Sequence, residues 1–84
     1  MFLIKSMTTS IIISRLTKAI KANGVGGYYI FIENGVKLAC GRVVNEVRLN
    51  QRSGKVQFVE QGTNEIIPMK YIKKTDLLEV YNSI

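Results

Sequence analysis

The stretch ANGVGGYYIFIENGVKL, Ala22 to Leu38, places four glycines around a run of aromatic and β-branched residues. The run Tyr28–Glu33 is typical of a β-strand, because such side chains pack well on a pleated sheet. Asn34–Gly35 then predicts a hairpin, since a type I′ turn requires positive φ at both central residues. The glycines from Gly24 to Gly27 precede a strand and lack a Gly-Lys-Ser/Thr ending. They therefore indicate a connection between a helix and a strand, not a phosphate-binding loop.

The residues before this stretch predict an amphipathic helix over residues 9–22. Ile13, Leu16 and Ile20 recur at helical spacing, and hydroxyl side chains at Thr8–Ser10 are suitable N-caps. Gly24 follows the predicted end of the helix. Three consecutive isoleucines are poor helix formers, so a strand at Ile11–Ser14 is the alternative.

Downstream, apolar runs separated by turn residues predict further strands. They are Val36 to about Leu49, bent at Gly41; Lys55–Glu60; a short Glu65–Ile67; and Leu77–Tyr81, which follows a lysine-rich turn at residues 70–74. We therefore predict a mainly β, α+β fold: an N-terminal helix followed by a five-stranded, strongly bent antiparallel SH3-like or Sm-like barrel over residues 28–82. Residues 1–84 form one domain in this prediction, with residues 1–7 as a flexible tail.

Two segments resemble the Sm-like domain of the Hfq type. YYIFIENGVKLACGRVV (Tyr28–Val44) resembles that family's first strands, and IIPMKYIKK (Ile66–Lys74) falls where the family has its second motif. The resemblance implies a small barrel that binds RNA and assembles into rings. KOW and Tudor barrels, which are also SH3-like, fit the same strand pattern.

The composition favours an anionic partner and argues against catalysis. Twelve Lys and Arg oppose six Asp and Glu, which gives a net charge of +6. Such an excess on a small surface favours nucleic acid. The chain has no histidine and one cysteine, Cys40, which we place in a core strand. We therefore predict a non-enzymatic protein without metal or cofactor, located in a reducing compartment such as the cytoplasm. No apolar run is long enough to predict a membrane span.

The candidate binding residues are cations in three groups, with two aromatic residues as a candidate protein interface. The groups are Arg15 and Lys18, together with Lys21, on the helix; Arg42, Arg48, Arg52 and Lys55 around the second hairpin; and Lys70, Lys73 and Lys74 near the last strand. Arginine and lysine held in an array release counterions from phosphates, which drives binding. Tyr29 and Phe31 point to the same side of the first predicted strand.

Two hypotheses for the function follow. The first is a nucleic-acid-binding barrel, with RNA slightly favoured over DNA, that binds phosphates through a basic surface and works as a homo-oligomer. The alternative is a small protein-interaction module, such as a viral or phage accessory protein that docks on a host protein through Tyr29 and Phe31. The first requires the cations to converge on one surface.

Overall fold

The computed structural model describes residues 7–84. In sequence order, a helix is followed by the three strands of one sheet and then by a second helix. The elements are α1 (Thr9–Asn23), β1 (Tyr29–Lys37), β2 (Val43–Leu49), β3 (Val56–Glu60), a 3-10 turn (Met69–Tyr71) and α2 (Lys74–Asn82). The strands are antiparallel in the order β1–β2–β3. The sheet is open, so the predicted five-stranded barrel over residues 28–82 is wrong.

Helix α1 confirms the helix predicted over residues 9–22. The N–H of Ile11 donates to Thr8 Oγ1 at 3.2 Å, and the N–H of Gly24 donates to the carbonyl of Ile20 at 2.8 Å. Ile12, Leu16 and Ile20 are buried on one face of the helix. Burial of this face outweighs the low helix propensity of the three isoleucines, so the alternative strand there is wrong.

The sheet has one covered face and one open face. Ile30, Val47 and Phe58 are register partners across the three strands, and they pack in the core beneath both helices. Leu77 and Val80 of α2 belong to the same core as the buried face of α1. Because successive side chains alternate between faces, the neighbours of Ile30, Val47 and Phe58 point away from the helices.

The Asn34–Gly35 pair forms a bulge within β1 and not the predicted hairpin turn. Phe31 pairs with Glu46, and Val36 pairs with Val44. Five residue steps along β1 therefore cover the same length as two steps along β2. The hairpin turn comes later, where the N–H of Leu38 donates to the carbonyl of Arg42 at 2.7 Å. An Asn-Gly pair supplies positive φ equally well to a turn and to a bulge. Because β1 continues to pair with β2 beyond this Asn-Gly pair, as far as Lys37, the pair forms a bulge.

The later turn also moves Cys40. The sequence places it in a core strand, whereas it is exposed in the connection between β1 and β2. The prediction of a buried thiol is therefore wrong. It depended on a single strand from Val36 to Leu49, which the structure divides into the end of β1, a turn and β2.

The predicted last strand, Leu77–Tyr81, is part of helix α2. Its buried residues Leu77 and Val80 are three positions apart, which is a helical spacing. The carboxylate of Asp76, in the first turn, accepts the N–H of Lys73 at 2.9 Å and thereby satisfies one of the free donors at the helix start. The strand prediction is wrong because a short apolar run does not distinguish a buried strand from a buried helix.

Two shorter predicted segments also differ from the structure. The predicted strand Glu65–Ile67 is reduced to an isolated bridge between Ile66 and Val59. Of the predicted tail, Met7 is buried in the core, and residues 1–6 lie outside the described residues.

The bulge in β1 predicts a steric requirement for glycine at position 35. Gly35 has a φ of 71°, and an added Cβ would lie 2.7 Å from Val43 Cγ1. Gly54 has a φ of 72° but no atom within 4 Å of such a Cβ. Gly54→Ala is therefore expected to cost about 1–2 kcal/mol through backbone strain alone. Gly35→Ala should cost about 1–3 kcal/mol more, measured by urea denaturation. Equal losses for the two variants would contradict the bulge geometry.

Asp76 predicts a second stability effect. Its side chain is 3% exposed, and it also accepts the N–H of Ala39 at 3.0 Å, which joins α2 to the β1–β2 turn. Asp76→Ala leaves two N–H donors without a partner and should lower the free energy of unfolding by about 2–4 kcal/mol. Asp76→Asn retains one acceptor and should lose less. The matched control Glu79→Ala, at an exposed position of α2, should change stability by less than about 0.5 kcal/mol. A similar loss in Glu79→Ala would show that the effect belongs to the helix and not to the carboxylate.

Candidate nucleic-acid interface

Four of the predicted binding cations meet at the end of the sheet where β1 turns into β2. We call this set, Arg42, Lys70, Lys73 and Lys74, the basic end. Arg42 follows the β1–β2 turn, Lys70 lies in the 3-10 turn, and Lys73 and Lys74 begin helix α2. The bond from Ala39 to Asp76 holds the turn against the helix start, so residues far apart in the chain become neighbours.

Tyr71 lies at the centre of the basic end. The Arg42 Cζ is 5.1 Å from the centroid of its ring, and the Lys70 Nζ is 5.2 Å from it. Both distances are within the range of cation–π attraction, which offsets part of the repulsion between the two cations. The aromatic ring is thus a shared contact for two positive charges.

The remaining predicted cations lie elsewhere. Arg52 and Lys55 are in the turn between β2 and β3, at the opposite end of the sheet from Arg42. Seven residues of β2 separate the two ends, a distance of about 23 Å at 3.3 Å per residue. Arg15 and Lys18 are exposed on α1, in the helical layer. The group predicted around the second hairpin is therefore divided, because the β1–β2 turn falls just before Arg42.

Few of these cations are neutralised by a neighbouring acid. Within residues 7–84 one ion pair is found, between Arg48 Nη1 and Glu46 Oε2 at 4.0 Å. Asp76, next to the basic end, accepts backbone N–H groups with both of its oxygens. The excess positive charge of the chain therefore remains available to an external anion.

A second feature lies on the open face of the sheet. Tyr29, Arg48 and Gln57 are register partners across the strands, and Phe31 pairs with Glu46 beside them. These side chains line a shallow depression of about 520 Å³, which we call the aromatic depression. Phe31 is 63% exposed, the largest exposure among the apolar side chains of residues 7–84. The predicted interface residues Tyr29 and Phe31 are thus adjacent to the predicted cation Arg48.

Sequence reasoning missed the amides of this depression. Asn50, Gln51 and Gln57 complete its lining on the side of the β2–β3 turn. The alternation of Gln57 with the buried Val56 and Phe58 would have placed its side chain on the open face, because strand residues alternate between faces.

Neither a metal cluster nor a membrane helix is found in the part of the chain that the structure describes. Over residues 7–84, no group of three His, Cys, Asp or Glu is arranged to hold a metal ion. In the same range, neither helix has the length and apolar character needed to cross a membrane.

Comparison with known proteins adds no family. No protein-family model matches the chain, and no curated protein or solved structure is similar enough to indicate one. The resemblance to Sm-like domains therefore stays a prediction from two short segments.

The contacts of Tyr71 predict different effects for two substitutions. Tyr71→Phe keeps the ring and should leave the free energy of unfolding nearly unchanged, whereas Tyr71→Leu should lose about 0.5–1 kcal/mol. The upfield ring-current shift of the Arg42 δ-protons should persist in Tyr71→Phe and vanish in Tyr71→Leu, as measured by NMR. Identical Arg42 spectra in the two variants would contradict the cation–π contact.

Proposed function

We propose that this protein is a non-enzymatic nucleic-acid-binding module that holds phosphates at its basic end, with RNA slightly favoured over DNA. The observation that supports it is that Arg42 and Lys70 both contact the ring of Tyr71, while Lys73 and Lys74 follow that ring in the chain at the start of α2. The four residues come from three separate segments of the chain. Binding follows from counterion release when such an array of cations neutralises phosphates.

The two types of cation in the basic end suit different parts of this task. The guanidinium of Arg42 offers a planar set of donors that fits two phosphate oxygens at once. The lysine side chains are flexible point charges that follow a backbone without reading its sequence. The basic end therefore binds the nucleic-acid backbone, and the chain acts in a compartment that keeps Cys40 reduced, such as the cytoplasm.

Protein interaction is the second candidate function, and the exposure of Phe31 supports it. An exposed phenyl ring on an open sheet face is typical of a surface that another molecule covers, including a partner protein or a second copy of this chain. Binding through such a surface depends on apolar contact and survives added salt, whereas binding through the basic end weakens with salt.

Salt titration tests the proposed function. Fluorescence anisotropy would follow single-stranded RNA and DNA of about twelve nucleotides, and a duplex of the same length, between about 50 and 200 mM salt. Neutralisation of four phosphates by the basic end alone predicts a slope of log K against log salt of about −3 on single strands, and contacts with cations elsewhere make the slope steeper. Lys74→Gln should make this slope shallower by about 0.7, because one phosphate contact is lost.

Lys21→Gln is the matched control. Lys21 lies in the last turn of α1, away from the basic end, and its substitution should leave the slope unchanged. An absence of binding to RNA and DNA at the lowest salt would contradict the proposed function. Equal changes of slope in Lys21→Gln and Lys74→Gln would contradict the role of the basic end.

A further inference from the structure

We propose that the aromatic depression binds an unstacked base of a single-stranded nucleic acid, with Phe31 as the stacking surface. The inference rests on the proposed function, and it adds the part of the ligand that the basic end does not contact. It assigns the base to the open sheet face and the backbone to the cations.

The aromatic side chains have a geometry suited to stacking. The rings of Tyr29 and Phe31 are 5.6 Å apart between centroids, with an interplanar angle of 86°. In this edge-to-face arrangement the edge of one ring contacts one face of the other, and Phe31 is still 63% exposed, so ring surface remains open to solvent. A nucleobase has a π-face of matching size, and every base can stack on such a surface.

The amides around the rings suit the edge of a base. Asn50 Oδ1 accepts the N–H of Arg52 at 2.9 Å and that of Ser53 at 3.0 Å, so the side-chain NH2 group is left as a donor. Gln57 lies next to Arg48 on the open face and offers both a donor and an acceptor. Hydrogen bonds of this kind to the Watson–Crick edge are how proteins recognise splayed bases.

Charge favours a nucleic acid over an apolar protein segment as the occupant. The Arg48 side chain is 42% exposed, and its ion pair with Glu46, at 4.0 Å, is too long to be a hydrogen bond and leaves its donors to an external acceptor. Arg52 and Lys55 follow in the turn beside the depression. The depression itself is lined by one cation, Arg48, one acid, Glu46, and the amides, and the two further cations in the adjacent turn give this end of the sheet the excess positive charge that a base attached to its phosphates requires.

The arrangement selects single strands. In a duplex the bases are paired and stacked within the helix, and the faces that Phe31 would contact are covered by neighbouring bases. A duplex presents mainly phosphates to the protein surface, so it is able to bind the cations without entering the depression.

The test compares Phe31→Leu with the wild-type protein on the single-stranded and duplex oligonucleotides used above. Leucine keeps an apolar side chain but has no π-face. Phe31→Leu should weaken single-strand binding by about 10-fold without changing the salt slope, and duplex binding should not change. Phe31→Tyr keeps an aromatic ring and should bind the single strand with the affinity of the wild-type protein. Ile11→Ala removes an exposed apolar side chain from α1, outside the aromatic depression, and should bind as the wild type does.

A direct measurement on the wild-type protein keeps the test independent of any folding defect. On titration with the single strand, NMR should show shifts of the Phe31 ring protons and of the side-chain amides of Asn50 and Gln57. This inference would be overturned if single-strand binding were steeply salt-dependent but the same in Phe31→Leu as in the wild type, and if these shifts were missing. The proposed function would still stand in that case. Absence of binding to every oligonucleotide would overturn both, and the open face would then belong to a protein partner.

Discussion

The carboxylate of Asp76 joins the two parts of the chain on which the rest of the molecule depends. It is buried, and its oxygens accept the N–H groups of Ala39 in the β1–β2 turn and of Lys73 at the start of α2. A buried carboxylate is costly unless donors of this kind surround it, so it specifies this arrangement over others. The same contact joins the turn that precedes Arg42 to the start of α2, where Lys73 and Lys74 lie. Stability of the fold and assembly of the basic end therefore share one interaction.

Both helices pack on the same face of the sheet, so neither helix covers the other face. Within residues 7–84, the two helices cover one side of the three-stranded sheet and leave most of the second side to solvent. On the covered side, register partners such as Val47 and Phe58 are fully buried. On the open side, the partners Tyr29, Arg48 and Gln57 are half-buried, Phe31 is exposed, and Val59, which pairs with Glu46, is buried. The basic end and the cations of the β2–β3 turn then lie at opposite ends of the sheet, about 23 Å apart at 3.3 Å per residue of β2.

Elements whose signals are local were predictable, and elements that depend on distant partners were not. Helix α1 has a cap, a spaced apolar face and a terminating glycine within one segment, and β3 is bounded by turns on both sides. Asn34–Gly35 carries the same local signal in a turn and in a bulge, and only the pairing of Val36 with Val44 distinguishes them. The run from Leu77 to Tyr81 fits a strand or a helix. Its packing against α1 and the capping contact of Asp76 make it a helix.

By itself, the sequence determined the net charge, the lack of histidine, the helix at residues 9–22 and the identity of the cations and aromatic residues available for binding. These follow from composition and local spacing, which do not depend on how the chain folds. Only the tertiary structure decided which of them act together. It placed Arg42 beside Lys70 and separated it from Arg52, and it left Tyr29 and Phe31 uncovered. The physical reason is that side-chain proximity and exposure are set by strand register and helix packing, which join residues far apart in the chain.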